Sequence, residues 1–204
     1  MSKDNDIIVE MKHIDMQFRG VHALDDVSIT LRRGEVHALM GENGAGKSTL
    51  MKILVGLYTP TKGEIYYKGE PVHFKSVMDT KKLGISMIFQ EFNQVKYMTV
   101  MENIYLGREP RTKGGSIDYQ KMYNDSKALL ESLGVDLEPR KKMYELTVAK
   151  FQLVEIVKAI SYDAEVIIMD EPTSALSQSE IEHLLKTVEL LCSRGKAIVF
   201  ISHK

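Results

Sequence analysis

The chain holds one cysteine, almost no net charge and no long apolar run. Each shortage removes a class of protein. A single thiol, Cys192, cannot close an internal disulfide, so a disulfide framework is excluded and a reducing compartment fits. Cys192 falls inside a predicted helix and reads as a small core or boundary residue, not a reactive thiol. A formal net charge of −1 leaves no basic face for bulk attraction to nucleic acid, so we expect no nucleic-acid partner. Nothing approaches the run of about 18 apolar residues needed to cross a bilayer. The N-terminus, MSKDNDIIVE, lacks the apolar core of a signal peptide. We therefore expect a soluble, cytosolic protein whose membrane role comes through a partner. Internal repeats and low-complexity tracts are missing as well.

What is present is 204 residues, enough for one domain with a real core. IIVEMKHI, VSITL and EVHALM read as strands separated by turn signals. Leu50, Ile53, Leu54 and Leu57 recur at helical spacing. TKGEIYYKGE reads as a hairpin, and ISMIF as a buried strand. From residue 91 to 162 the pattern is mostly helical, which predicts a helical subdomain inserted between two sheet strands. The sheet resumes at VIIM, whose unbroken apolar run suits a parallel strand covered on both faces. The next helix starts with Ser177 and Glu180 in capping-box spacing, carries Ile181, Leu184, Leu185, Val188 and Leu191, and ends at Gly195. AIVFIS is another buried strand. The sequence stops just past it, so residues 1–204 are expected to be a C-terminally incomplete domain.

The richest segment is GENGAGKST, comprising Gly41, Glu42, Asn43, Gly44, Ala45, Gly46, Lys47, Ser48 and Thr49. It lies between the strand-like VHALM and the helical KSTLMKIL. Glycines let backbone N–H groups turn inward, and a helix N-terminus favours an anion. In this pattern the lysine reaches the β- and γ-phosphates of a nucleotide and the hydroxyl of Ser48 meets Mg²⁺. The plainer alternative is an ordinary glycine-rich loop.

Three polar strand tips add to it. VIIM delivers Asp170 and Glu171 to the carboxyl end of a strand, where open α/β sheets bind ligands. Asp170 suits Mg²⁺, through water, and Glu171 suits the base that polarises an attacking water. Alternatively the two acids only open a solvated loop. His203, at the tip of AIVFIS, is either a polar terminator or a γ-phosphate contact. Gln90 follows ISMIF, where its amide can orient water and touch Mg²⁺. Together these tips predict one site along one sheet edge.

In order, GENGAGKST, the Gln90 turn, VIIMDEPTSALS and ISHK resemble the ATPase domain of ATP-binding cassette (ABC) proteins, over essentially the whole chain. GVHALDDVS, GISMIFQEFN and VEIVKAISYDAEVIIMDEPTSALS are similar to the first ATPase module of bacterial sugar importers of the galactose/methyl-galactoside and ribose type. The resemblance implies an α/β P-loop NTPase fold with an antiparallel β subdomain, a mostly parallel core sheet and the inserted helical subdomain. It implies ATP and Mg²⁺ as ligands and an ATPase that powers sugar import. It also implies membrane permease subunits, a second ATPase module in the same longer chain or a second copy, and, indirectly, an extracytoplasmic sugar-binding protein. The implied location is peripheral, on the cytoplasmic face of the bacterial cell membrane. Position by position, Phe18, 29 residues before Lys47, matches the aromatic that stacks on adenine; the other reading is a strand-core phenylalanine. Gln90 matches the glutamine that links nucleotide to permease, Glu171 the catalytic glutamate and His203 the switch histidine.

One motif departs. The family signature LSGGQ falls on Leu146-Thr147-Val148-Ala149-Lys150. In the family this segment caps the nucleotide of the opposite module. Thr147 keeps a hydroxyl, Ala149 puts a methyl where glycine allows close approach, and Lys150 replaces the glutamine. The expectation is one competent site and one impaired one, with Thr147 and Ala149 serving the partner's nucleotide. Rival readings are a soluble ABC-type ATPase acting without a permease and a nucleotide-binding module with little turnover alone. A GTPase is unsupported, since neither NKxD nor DxxG occurs.

Overall fold

The computed structural model describes residues 6–89 and 95–203. Two sheets carry the fold. The first is antiparallel, in the order β2-β1-β4-β5, from β1 (Ile7–Phe18), β2 (Val21–Arg32), β4 (Lys62–Tyr67) and β5 (Glu70–Pro71). The second is parallel, in the order β3-β8-β7-β6, from β3 (Val36–Met40), β6 (Ile85–Ile88), β7 (Val166–Asp170) and β8 (Ala197–Ser202). The expected hairpin is β4–β5. Lys68 and Gly69 both take positive φ at its two-residue turn, which matches the twist of the flanking strands.

The unbroken apolar run of β7 is explained by burial on both faces. Val166 and Ile168 enter a core shared with β1, β4 and the helix α1 (Lys47–Leu54), whereas Ile167 and Met169 enter a second core among the helices that follow. Successive side chains of a strand point to opposite faces, so one strand feeds both cores. Between β6 and β7 run α3 (Val100–Ile104), α4 (Tyr119–Ser132), a 3₁₀ turn (Met143–Glu145) and α5 (Val148–Ile160); α2 (Val77–Lys82) precedes β6 and α6 (Gln178–Ser193) follows β7.

Helical spacing overreached in two places. α1 stops at Leu54, and Leu57 lies beyond it at 44% exposure. Gly56 makes the turn with φ 73, and a Cβ there would stand 2.9 Å from the Ser76 carbonyl oxygen. In α6, Leu185 points to solvent while Thr187 is buried, its hydroxyl donating to the His183 carbonyl. The expected capping box is present, with the Glu180 carboxylate accepting from the Ser177 N–H at 2.9 Å. α3 is a short helix, started by a second capping box between Thr99 and Glu102.

The two sheets are pinned together by Glu165. Its carboxylate accepts from Arg33, after β2, and from Lys68, at the β4–β5 turn, each at 2.5 Å. Burial raises the Glu165 pKa, but the two cations and their hydrogen bonds outweigh it and leave it below the usual range.

Candidate functional site

The strand β3 ends at Met40, and the chain turns through residues 41–46 into α1. The N-cap of α1 is Gly46, at φ 83, and no side chain caps the helix. Its first amides are therefore left for a ligand, at the positive end of the helix dipole. Lys47 folds back over the loop and donates from Nζ to the carbonyls of Gly41 at 2.6 Å and Glu42 at 2.9 Å. The glycines differ in purpose. A Cβ on Gly44 would meet nothing within 4 Å, so that position serves its φ of +87°. A Cβ on Gly46 would stand 2.7 Å from both the Ala23 carbonyl oxygen and Leu24 Cδ2. Gly46 is thus demanded by the close passage of β2 as well as by the turn.

Two strand tips meet this loop. Ser48 Oγ lies 3.4 Å from Asp170 Oδ1 at the end of β7. Beside it Glu171 adopts φ 47, and its N–H donates to the Ile201 carbonyl at 3.1 Å. His203 Nδ1 is 2.9 Å from Glu171 Oε1. The histidine expected on a phosphate is therefore held on the neighbouring carboxylate. A cavity of about 210 Å³ joins these parts, lined by residues 43–49, by Val21 to Ala23 of β2, and by Glu171 and Ile201.

The electrostatics suit a cation. Burial pushes the Asp170 carboxyl above its ordinary range, and the Glu171 charge adds to this; Lys52, the Ser48 hydroxyl and Lys47 offset it only in part. A half-buried acid held up by its own acidic neighbour gains from a divalent ion at the Ser48–Asp170 gap. The uncapped helix start and Lys47 suit polyphosphate oxygens. The residues present thus fit a magnesium-bound nucleotide phosphate chain, and the Glu171–His203 pair sits where it can hold a water.

Other expected residues lie apart. Phe18, at the end of β1, is 39% exposed and does not line the cavity; its ring meets Tyr58 edge-on at 5.3 Å. Gln90 lies outside the described residues. Thr147 and Ala149 line a different cavity, beside α6. Thr147 is the N-cap of α5, its hydroxyl accepting from the Lys150 N–H at 3.4 Å. Val21 and Ala23 were not anticipated as cavity walls. The glycine at 46 signals a close approach, but nothing local says that β2 makes it.

The sequence profile of a family described as ABC transporter matches residues 24–174. A galactose/methyl galactoside import ATP-binding protein MglA of Mannheimia succiniciproducens is 50% identical over 201 residues, covering 98% of this chain and 40% of that protein. A putative ribose/galactose/methyl galactoside import ATP-binding protein of Agrobacterium fabrum is 56% identical over 191 residues, covering 94% and 37%. The chain thus spans about two fifths of the length of these curated relatives. Among solved structures, a nucleotide-free ATP-binding cassette from an ABC transporter superposes with TM-score 0.86 at 27% identity, over 97% of this chain and 82% of that one. The ADP conformation of such a cassette gives 0.85 at 27% identity, with the same coverage.

Proposed function

We propose a function from one premise: the chain belongs to the ABC transporter family. It binds MgATP and hydrolyses it to power import of a galactoside- or ribose-like monosaccharide through membrane permease subunits. The observation that carries this reading is the Ser48–Asp170 approach at 3.4 Å beside the Glu171–His203 contact at 2.9 Å, both at the phosphate loop.

Lys47 and the first amides of α1 hold the phosphates. Ser48 and Asp170 would hold Mg²⁺, with Gln90 as a further ligand, and a bound ion would supply charge neutralisation to the phosphates. Glu171 accepts a proton from water as the water oxygen bonds to the γ-phosphorus and the bond to the β–γ bridging oxygen breaks, releasing ADP and phosphate. His203 holds the Glu171 carboxylate in place. Phe18 stacks on the adenine.

Thr147 and Ala149 serve the nucleotide of a second module, in the same longer chain or in a second copy. Their separation from the loop cavity supports that division. Residues 91–162 form the helical subdomain that meets the permease. A cleft of about 120 Å³ between α2, β6 and α5 supports this contact: among the described residues Ser86 Oγ is buried there without a hydrogen bond, and Glu155 Oε1 meets only Lys158 Nζ, at 3.8 Å. An entering permease segment supplies their partners. The protein then works at the cytoplasmic face of the bacterial cell membrane, fed by an extracytoplasmic sugar-binding protein.

Glu171→Gln is the test. It should retain ATP while turnover falls by about 10²–10⁴-fold, the usual worth of a general base. Normal turnover in that variant removes Glu171 from the role.

A further inference from the structure

One aromatic contact lies beside the phosphate loop yet outside its cavity. Phe18 closes β1 and pairs across the strands with Val21, with only Arg19 and Gly20 between them. Val21 lines the loop cavity, so Phe18 stands one cross-strand pair from its wall. Tyr58 reaches the same place from beyond the far end of α1. That helix ends at Leu54, Gly56 turns the chain with φ 73, and the Leu57 and Tyr58 amides both donate to the Lys52 carbonyl, at 2.9 and 3.3 Å. Tyr58 is thereby fixed to the helix whose start forms the phosphate loop. The two ring centroids lie 5.3 Å apart, with the planes at 77°. This edge-to-face arrangement is one that aromatic quadrupoles prefer. Whichever ring supplies the edge, a near-perpendicular pair leaves at least one face of Phe18 uncovered by Tyr58. The rings are 39% and 37% exposed, and neither belongs to the two hydrophobic cores, so the pair does not serve the interior.

We propose that Tyr58 is a positioning residue for the nucleobase, holding the Phe18 ring in the orientation that stacks on adenine. The inference rests on the stacking role given to Phe18 above. A half-exposed ring at a strand end has rotamer freedom to lose when a ligand arrives, and a partner that fixes it beforehand removes part of that cost. The contact also ties the β1–β2 turn to α1, so the base-stacking ring and the phosphate loop share one frame. Tyr58 acts through Phe18 and not on the phosphates, so its effect is confined to ligands that carry a base.

Calorimetric titration of the full chain with MgATP, and with magnesium tripolyphosphate, which has no base, tests this. Tyr58→Leu should weaken MgATP binding about 3–10-fold, the usual worth of an aromatic pair, and leave tripolyphosphate binding unchanged. Tyr58→Phe keeps the ring and should bind MgATP as the parent does. Phe18→Ala should weaken MgATP at least as far, and adding Tyr58→Leu to it should cost nothing more, because the two residues act as a unit. Parental MgATP affinity in Tyr58→Leu overturns the inference. So does an equal loss for tripolyphosphate, which would make Tyr58 a support of α1 only. A failure of Tyr58→Phe to restore affinity, or a full further loss in the double variant, overturns it as well. If Phe18→Ala itself bound MgATP like the parent, the stacking role would fall and take the inference with it. Parental binding in Tyr58→Leu beside a weakened Phe18→Ala would strike the inference alone and leave the stacking role standing.

Discussion

The helices α1 and α5 both begin beside cavities, and they are built in opposite ways. α1 starts on a glycine with no side-chain cap, while Lys47 reaches back over the preceding carbonyls. α5 starts on Thr147, whose hydroxyl takes the Lys150 N–H for itself. The contrast teaches what an anion site at a helix start requires. Amides left for a ligand cannot also be satisfied by the helix, so the turn must be held from outside. For α1 that support is β2, packed so close to Gly46 that a methyl would not fit. α5 satisfies the Lys150 amide of its own first turn, and Thr147 stands exposed.

The comparison is most easily broken at Gly46. Gly46→Ala should destabilise the fold by about 1–3 kcal/mol through backbone strain at positive φ, with the close approach of β2 adding to it, and should abolish nucleotide binding. Thermal melting and a nucleotide titration read the two effects. Native melting with intact binding would mean that β2 is not the support.

Asp170 gives a smaller, pH-dependent effect. Its folded pKa is raised, so its protonated form stabilises the fold. That stability is complete below the ordinary value of 3.8 and is lost as pH rises through the raised one. At neutral pH, Asp170→Asn should therefore melt higher than the parent chain, with the gap closing as pH falls. MgATP should stabilise the parent and do little for the variant. An unchanged gap across pH would deny that burial of the charge is the cause.

The smallest effect is expected at α5. Replacing Thr147–Lys150 by Ser-Gly-Gly-Gln, which restores the family signature, should leave steady-state ATP turnover nearly unchanged on the proposal that the segment serves the impaired site. A large gain in turnover would refute the asymmetry.

Local patterns carried much of the fold. The phosphate loop, the run ending in Asp170 and Glu171, and both strands flanking it were legible because each is set by residues near in sequence. α6 shows where such reading fails. Leu185 continues the apolar stripe by count yet faces water, and Thr187 is buried because its hydroxyl finds the His183 carbonyl. The Glu165 clamp was out of reach altogether. Its partners lie 97 and 132 residues away, and no local composition marks a glutamate before an apolar strand as the joint between two sheets. The Glu171–His203 contact was half legible: both were expected at one edge, but not that the histidine would sit on the acid.

Glu171 keeps a posture that glycine would adopt freely, at φ 47. Such a conformation costs a side-chain-bearing residue about 1–3 kcal/mol. Heat resistance and work done per molecule therefore pull this position in opposite directions. A laboratory screen that rewarded only survival at high temperature would drift toward Glu171→Gly and, on the role proposed for Glu171, would harvest sturdier proteins that had stopped working.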